Sequence, residues 1–569
     1  HSYSTMKMLK ILSKSALALA IVVASSCSDR LSETNVNPNG IDPATANPNL
    51  MMPEVMNSAA RAYLELGYGD VAGVAQHIQH DGWFSGVNHY DWGPQDWSGW
   101  YNMLRNNEFM YKRSVALNYK FHQGVALTMR SFIFGVVTDL WGDAPYTSAV
   151  KGDQSNELLK PAFDSQEVIY KGIIADLKAA SELFATKDAT GYTTGYDLFY
   201  AGNPTSWQKF ANTLLLRYYM RVSEKMPAEA KAGIEAIYSS GVYIKTQAED
   251  ATMAYIGATA GNAWPGAVAF DQEQSNFRRK KPAQAFVNSL VATNDPRLKV
   301  WIAPVHVRWV ADETLTTDVD KFIRKDGVIQ QGVSYLTDVV LLAEVKKGVK
   351  YTRHYNPKLY KGTLDTGEYV GVPAGLIQPD TYNNNPTPGQ TVQNQHVSQL
   401  AEIYRGSSGG LLKARLASAT EASFILAEAA LKGWSVGDAK THYNAGVKNS
   451  LETWGVGSQY DAFIGKQGVA FNNTLAQVME QKWIANWTMA TEAWFDYRRT
   501  GLPALKAGPA SAEPVVAVRF NYGDNEVNFN RTNADAAINK LEVTKHSGLR
   551  GKNSQWSKPW VLQGTNKPW

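Results

Sequence analysis

The chain has 569 residues, a formal charge of +4, one cysteine, 17 tryptophans and 28 tyrosines. Three of its positive charges, Lys7, Lys10 and Lys14, sit in a leader-like start, so the remainder carries about +1, and ionic capture of nucleic acid is excluded as its organising principle. One cysteine excludes a disulfide framework and a cysteine metal cluster, whereas an aromatic excess near zero net charge favours stacking on neutral ligands or a large protein interface.

The start of the chain reads as an address. Lysines are followed by an apolar run at 16–24, too short to span a bilayer, then Ser25, Ser26 and the sole cysteine, Cys27. Residues 1–26 are expected to be a lipoprotein signal peptide and Cys27 the acylated first residue. Several acyl chains on one residue give stable anchoring, because each buried methylene adds about 0.8 kcal/mol. Residues 27–52, rich in Asn, Pro, Asp and Gly, read as a tether.

A single domain is expected over 53–569. Helices are predicted at 53–68, with Pro53 near the first position, and at 71–80. The second would place His77 and His80 on one face beside Asp81. No third metal ligand stands at fixed spacing, so the pair is read as packed, with no metal and no cofactor.

The stretch 81–101, DGWFSGVNHYDWGPQDWSGWY, fits neither a helical nor a strand period and is broken by Gly82, Gly86, Gly93, Pro94 and Gly99. Core aromatics ordinarily sit on periodic elements. Rings on a glycine-rich loop, with amides and acids between them, predict a recognition surface. Trp83, Phe84, Asn88, Tyr90, Trp92, Trp97 and Trp100 are the candidate ligand-binding residues, with about half of the rings expected to pack the loop down instead.

A helix at 101–118 is followed by the centre of the molecule. From 125 to 141 nearly every residue is apolar, the mark of a helix buried on all sides, and Gly142 and Pro145 end it. Helices follow at 163–184, capped by Asp164 or Ser165, at 204 onward, with Asn203 as cap and Pro204 at the first position, and at 227–238. Arg217 and Arg221, one turn apart, are expected to bond acids or helix ends.

From 243 to 410 helical periodicity thins, with one helix at 281–292 and short β-branched runs such as 339–345. Long irregular segments tend to carry function. Trp264, near Asn276 and Phe277, is the candidate second wall of a ligand site. Helices return at 411–433 and 438–454, a hairpin whose alanines allow close approach, and at 474–500, where Glu480, Glu492, Asp496, Arg498 and Arg499 are expected to bridge to neighbouring helices. The helical parts are thus 53–242 and 411–505, and 506–569 is an irregular, tryptophan-rich tail.

Several segments in this order and spacing resemble the SusD/RagB family of Bacteroidetes outer-membrane nutrient-binding lipoproteins. They are Ser25-Ser26-Cys27, the NPN at 37–39, TDLWGDAPYTSA at 138–149, SWQKFANTLLLRYYMRVS at 206–223 and NDPRLKVW at 294–301. To these are added SFILAEAALKGW at 423–434, EQKWIANWTMATEAWFDYRRTGLPAL at 480–505 and VRFNYGDNEVNFN at 518–530. The last keeps the family's Arg519, Tyr522, Glu526 and Asn530, and departs at Asn521 and Gly523, where commoner members have proline, as in a divergent subgroup. The resemblance implies a mainly α fold, a tetratricopeptide-like helix-pair scaffold with an irregular, loop-rich subregion packed on it. It also implies a lipid-anchored, surface-exposed protein that captures oligosaccharides or oligopeptides as the lid of a SusC-like TonB-dependent transporter barrel.

Two other classes compete with that reading. A surface glycoside hydrolase needs two carboxylates at fixed separation. Asp91 and Asp96 are near the rings, but an exposed glycine-rich loop is a poor frame for two tuned acids. Gly406-Ser407-Ser408-Gly409-Gly410 matches the G-x-S-x-G pattern without a clear buried strand before it. A purely structural protein would use its aromatics only against its partner.

Overall fold

The computed structural model describes residues 45–81, 85–344, 347–386 and 394–569. Pro48–Trp569 forms one compact unit; the other, His1–Asn47, is described only at 45–47. Cys27 and the leader therefore lie outside the described residues.

The molecule is built round the helix Lys120–Trp141, of which almost every residue after the first turn is buried. By length and composition this helix could cross a membrane, but here protein surrounds it. Leaving single turns aside, the helices are α1 (Pro48–Glu65), α2 (Ser98–Ala116), α3 (Lys120–Trp141), α4 (Gln166–Ala185), α5 (Pro204–Arg221) and α6 (Pro227–Ser240). The C-terminal half adds α7 (Gln284–Ala292), α8 (Asp338–Glu344), α9 (Ala419–Leu431), α10 (Ala439–Thr453), α11 (Leu475–Ala485), α12 (Ala490–Thr500), α13 (Asp524–Phe529) and α14 (Arg531–Asn539).

Consecutive helices pack in pairs: α2 on α3, α3 on α4, α4 on α5, α5 on α6, and α9 on α10. This is the tetratricopeptide-like helix-pair scaffold, with α9 joining the two halves through α5. The crossing of α3 and α5 depends on Gly135, because a Cβ there would fall 1.9 Å from the hydroxyl oxygen of the buried Tyr218.

The caps form as the sequence predicts. Asn203 Oδ1 accepts from the N–H groups of Thr205 and Ser206 at the start of α5. Ser165 caps α4, and Asp438, read in the sequence as the first residue of its helix, proves to be the cap of α10. Gly142, at φ 109, ends α3 with its N–H on Thr138 O.

Where the sequence misleads, distant pairing overrides local pattern. The first helix starts at Pro48, so Pro53 lies inside it. The helix expected at 71–80 ends at Val74. Gln76 takes φ 58, and Ile78–His80 becomes strand β1, paired antiparallel with β3 (Lys280–Pro282), which shortens α7 at its start. His77 and His80 thus share no helix face; His77 Nε2 meets Trp483 O at 2.8 Å, and burial lowers its pKa to about 3.

The first third of 411–433 is strand β8 (Lys413–Ala417), paired with β2 (Ala251–Ala254). The described part of the run at 339–345, residues 339–344, falls in α8 rather than extended chain, and the tail contains α13 and α14. The stretch 474–500 is two helices, broken where Thr488 takes φ 66. The backbone at Gly67 packs into that break, and a Cβ there would lie 2.6 Å from Thr488 O.

The irregular segment also holds a four-stranded sheet in the order β4-β7-β5-β6, made of β4 (Val307–Ala311), β5 (Arg324–Lys325), β6 (Val328–Ile329) and β7 (Tyr351–Tyr355).

Charges inside the scaffold are paired. Asp139 on α3 accepts from Arg221 Nε at 3.1 Å, Arg498 Nη2 at 3.0 Å and the Tyr170 hydroxyl at 2.5 Å. Arg221 also bonds Glu492, which accepts from the Tyr63 hydroxyl at 3.0 Å. Arg217 forks onto Glu421 at 2.6 and 2.7 Å. Arg499 bonds Glu428 and Asp496, and Lys482 bonds Asp496. Of the charges read as helix bridges in the sequence, Arg217, Arg221, Glu492, Asp496, Arg498 and Arg499 do bridge helices, whereas Glu480 has no ion pair among the described residues.

One buried acid is not neutralised in this way. Asp250 accepts the N–H of Ala419 at the start of α9 at 2.8 Å, and burial pushes its pKa up to about 7 against the pull of that bond and of Arg415. An acid held above its unfolded value makes the folded state bind more protons, so stability falls as pH rises from about 4 to about 7 and is then level. Asp250→Asn keeps an acceptor for Ala419. It is expected to flatten this slope and to raise the unfolding temperature at pH 8, with no gain below pH 4. Equal melting curves for parent and variant at pH 8 would contradict this.

Candidate functional site

The loop after β1 is held in place from several sides. Asp81 N–H donates to Arg279 O at 3.1 Å, and its carboxylate lies 3.5 Å from Lys281 Nζ. Burial pushes the pKa of Asp81 up to about 6, although Lys281 pulls it down. Trp83 and Phe84 lie outside the described residues.

Asn88 is buried and acts as a false strand: its Oδ1 accepts His80 N–H and its Nδ2 donates to His80 O. His89 reaches Leu376 O at 2.8 Å. Tyr90 takes φ 58, its hydroxyl accepts from Gln76, and its carbonyl accepts from Gln555 Nε2 at 2.7 Å.

Among the described residues, the rings that the sequence marks for ligand contact point inward. Trp92, Trp97 and Trp100 are 7 %, 5 % and 7 % exposed, and Trp264 is 1 % exposed. Trp92 packs edge-on against Trp494 and Phe520. Trp97 packs against Tyr101, Trp141, Phe163 and Tyr522, and its Nε1 donates to Glu526 Oε1 at 3.0 Å. Trp264 lies among Tyr68, Tyr255 and Tyr404. As positioned here, Trp92 and Trp97 pack the loop down, the role expected of about half of its rings.

What the loop turns outward is polar: Ser85, Asp91, Gly93, Pro94, Asp96, Ser98 and Gly99 are exposed. Asp91 Oδ1 accepts the N–H of Gly86, and Asp96 accepts the N–H of Ser98 at 3.2 Å, so both acids brace the loop while leaving lone pairs to solvent. Beside it runs the irregular segment, where Gly375 N–H bonds Gln79 Oε1 at 3.3 Å and the next turn exposes Ile377 (66 %). The candidate site is therefore the ground between loop 85–101 and the turn at 375–381, a braced polar edge beside one exposed apolar side chain. Nothing in the local sequence marked Ile377, because its place depends on contacts with residues nearly three hundred positions earlier.

The residues that carried the family resemblance turn out to be braces of this region. Arg519 Nε donates to Trp141 O, the Tyr522 hydroxyl to Asp143 O, and Asn530 Nδ2 to Pro161 O, while Glu526 receives Trp97. They tie the tail to the end of α3 and to the loop. The Gly406–Gly410 run follows a 3₁₀ turn, and Ser407 O accepts the N–H of Trp264, so the frame of a nucleophile elbow is missing there.

Among the described residues no group of three or more His, Cys, Asp or Glu is placed to hold a metal ion. Two cavities stand apart from the loop. One of about 660 Å³ lies between the ends of α9 and α12 and residues 564–568, with Glu224, Glu428, Lys432 and Arg499 in its wall and no aromatic ring. The other, about 220 Å³, lies between α2, α3 and the turn that follows α3.

A helix-pair scaffold thus holds a braced loop whose outer edge is polar. The family model described as "Starch-binding associating with outer membrane" matches residues 41–314 and 351–523, more than half of the chain, and the chain belongs to this SusD-like family. Solved structures share the fold. A SusD homologue of Bacteroides fragilis is 19% identical, with a TM-score of 0.68 over 91% of this chain and 99% of that one. An outer membrane protein of Bacteroides vulgatus, whose suggested role is nutrient binding, is 22% identical, with a TM-score of 0.68 over 91% and 100%. A chitin-binding protein is 22% identical, with a TM-score of 0.66 over 91% and 99%. A search of curated protein sequences gave no match.

Proposed function

We propose that this protein captures oligosaccharides at the cell surface, anchored in the outer membrane through acylated Cys27, and passes them to a SusC-like TonB-dependent barrel for which it is the lid. The observation that carries the ligand class is the outer edge of loop 85–101. Its exposed acids, hydroxyls and backbone groups suit a ligand rich in hydroxyls, and the near-zero charge of the chain offers no ionic hold on a charged one. The family description and the chitin-binding neighbour point the same way.

Asp91 and Asp96 stand on an open loop and serve as its braces, which is poor ground for the enclosed acid pair of a hydrolase. The test of this reading is incubation of the chain lacking residues 1–27 with oligosaccharides: retention of intact sugar supports it, and products of cleavage overturn it. The anchor has its own test. Cys27→Ala is expected to move the protein from the membrane fraction to the soluble one with an unchanged melting curve. Unchanged fractionation would contradict acylation there. Co-purification with a large barrel in mild detergent is the result expected of a lid.

A further inference from the structure

The cavity of about 220 Å³ beside α2 has a construction that packing alone does not require. Its floor is apolar, formed by the buried Leu104 and Phe134. Over it stand three polar groups. Arg130 on α3 donates through Nε to Asp176 at 2.9 Å and through Nη1 to Glu108 at 3.1 Å, which leaves Nη2 without a hydrogen-bond partner among the described residues. Glu108 is held at one oxygen by Arg130, and its other oxygen has only Lys112 Nζ at 3.9 Å. Tyr146, edge-on to Phe134 at 4.8 Å, brings a hydroxyl that likewise has no partner among the described residues.

The local charges cancel: Arg130, Lys112 and Lys151 stand against Glu108, Asp176 and Asp164, the last held by the N–H groups of Tyr146 and Thr147, so an anion gains nothing by entering. At the rim, Val150 holds φ 52, a left-handed backbone that a β-branched residue adopts only under strain, and such strain clusters at ligand sites.

We propose that this cavity is a second saccharide subsite, which takes one neutral sugar ring: an apolar face of the ring over Leu104 and Phe134, and its hydroxyls on Arg130 Nη2, Glu108 and the Tyr146 hydroxyl. The volume is below the about 300–1,000 Å³ of drug-sized sites and fits a single ring. Glu108 lies ten residues beyond the exposed Ser98 on the same helix, about 15 Å along the axis at 1.5 Å per residue. A glycan of several rings covers that separation, so the subsite would add to the hold of the loop. The inference rests on the glycan reading above.

The experiment is calorimetric titration of the chain lacking residues 1–27 with the series maltose to maltohexaose and the matching chito-oligosaccharides. Parent, Tyr146→Phe and Glu108→Ala are compared. Tyr146→Phe removes only a hydroxyl without a partner, so it keeps the melting curve of the parent. Each variant is expected to weaken binding by about tenfold for the series that binds, or to remove one of two sites from the stoichiometry. If the parent binds and both variants match it, the subsite is overturned while the glycan reading stands. If the parent binds neither series, both fall.

Discussion

Arg221→Met is expected to lower folding stability by about 3–5 kcal/mol, the range found when one partner of a buried ion pair is removed. Arg221 sits between Asp139 of α3 and Glu492 of α12, and all three are at most a few per cent exposed. In the native chain Asp139, Glu492 and Glu421 are balanced by Arg217, Arg221 and Arg498, so the variant leaves an uncompensated negative charge in the core. The remaining partners make up little of the loss: Arg217 is forked onto Glu421 and reaches Glu492 only at 3.7 Å, and Arg498 holds Asp139 from the other side. A domain is stable by about 5–15 kcal/mol in total, so a loss of this size is a large fraction of the whole. Arg221→Lys is expected to recover only part, because an ammonium cannot reach two carboxylates as a planar fork does. Urea denaturation measures both, and a loss under 1 kcal/mol for Arg221→Met would show that the network is not what fastens α3, α5 and α12 together.

Trp97→Ala is expected to cost a similar amount, about 3–5 kcal/mol, as for other buried aromatic truncations. Its ring meets four others, from α2, α3, the segment before α4 and the tail, and its N–H is the partner of the half-buried Glu526. Removing it opens a cavity where these elements converge and strands a carboxylate, so the loop should loosen as the molecule is destabilised. Any loss of ligand binding should then follow the loss of structure. A variant that melts like the parent yet binds sugar at least tenfold more weakly would return Trp97 to the ligand surface, in line with the first reading of the loop.

The contrast between Trp97 as read in sequence and as found in space shows what the chain makes legible. Caps and starts such as Asn203, Pro204, Ser165 and Asp438 announce themselves because their chemistry is local. The all-apolar run in α3 announces a core helix for the same reason. By contrast, β1 and β8 look helical by period and become strands only because Lys280–Pro282 and Ala251–Ala254 arrive beside them. The break at Thr488 depends on the backbone of Gly67, and the inward turn of Trp92 and Trp97 on Trp494, Phe520, Tyr522 and Glu526, some four hundred residues away. The loop itself was visible from its glycines and aromatics. Which of its faces meets solvent was not, since burial is a property of partners. Arg519, Tyr522, Glu526 and Asn530 located the family, and in space they prove to be fasteners that hold the tail against the end of α3.

The central claim, that a scaffold of paired helices presents a braced polar loop for neutral glycans, is tested most directly by isothermal titration of the chain lacking residues 1–27. Oligosaccharides and oligopeptides of matched size are the two ligand panels. The account predicts saturable heat with a saccharide series, no heat with the peptides, and the sugar recovered uncut. Binding of peptides alone, or hydrolysis of the sugar, would contradict it.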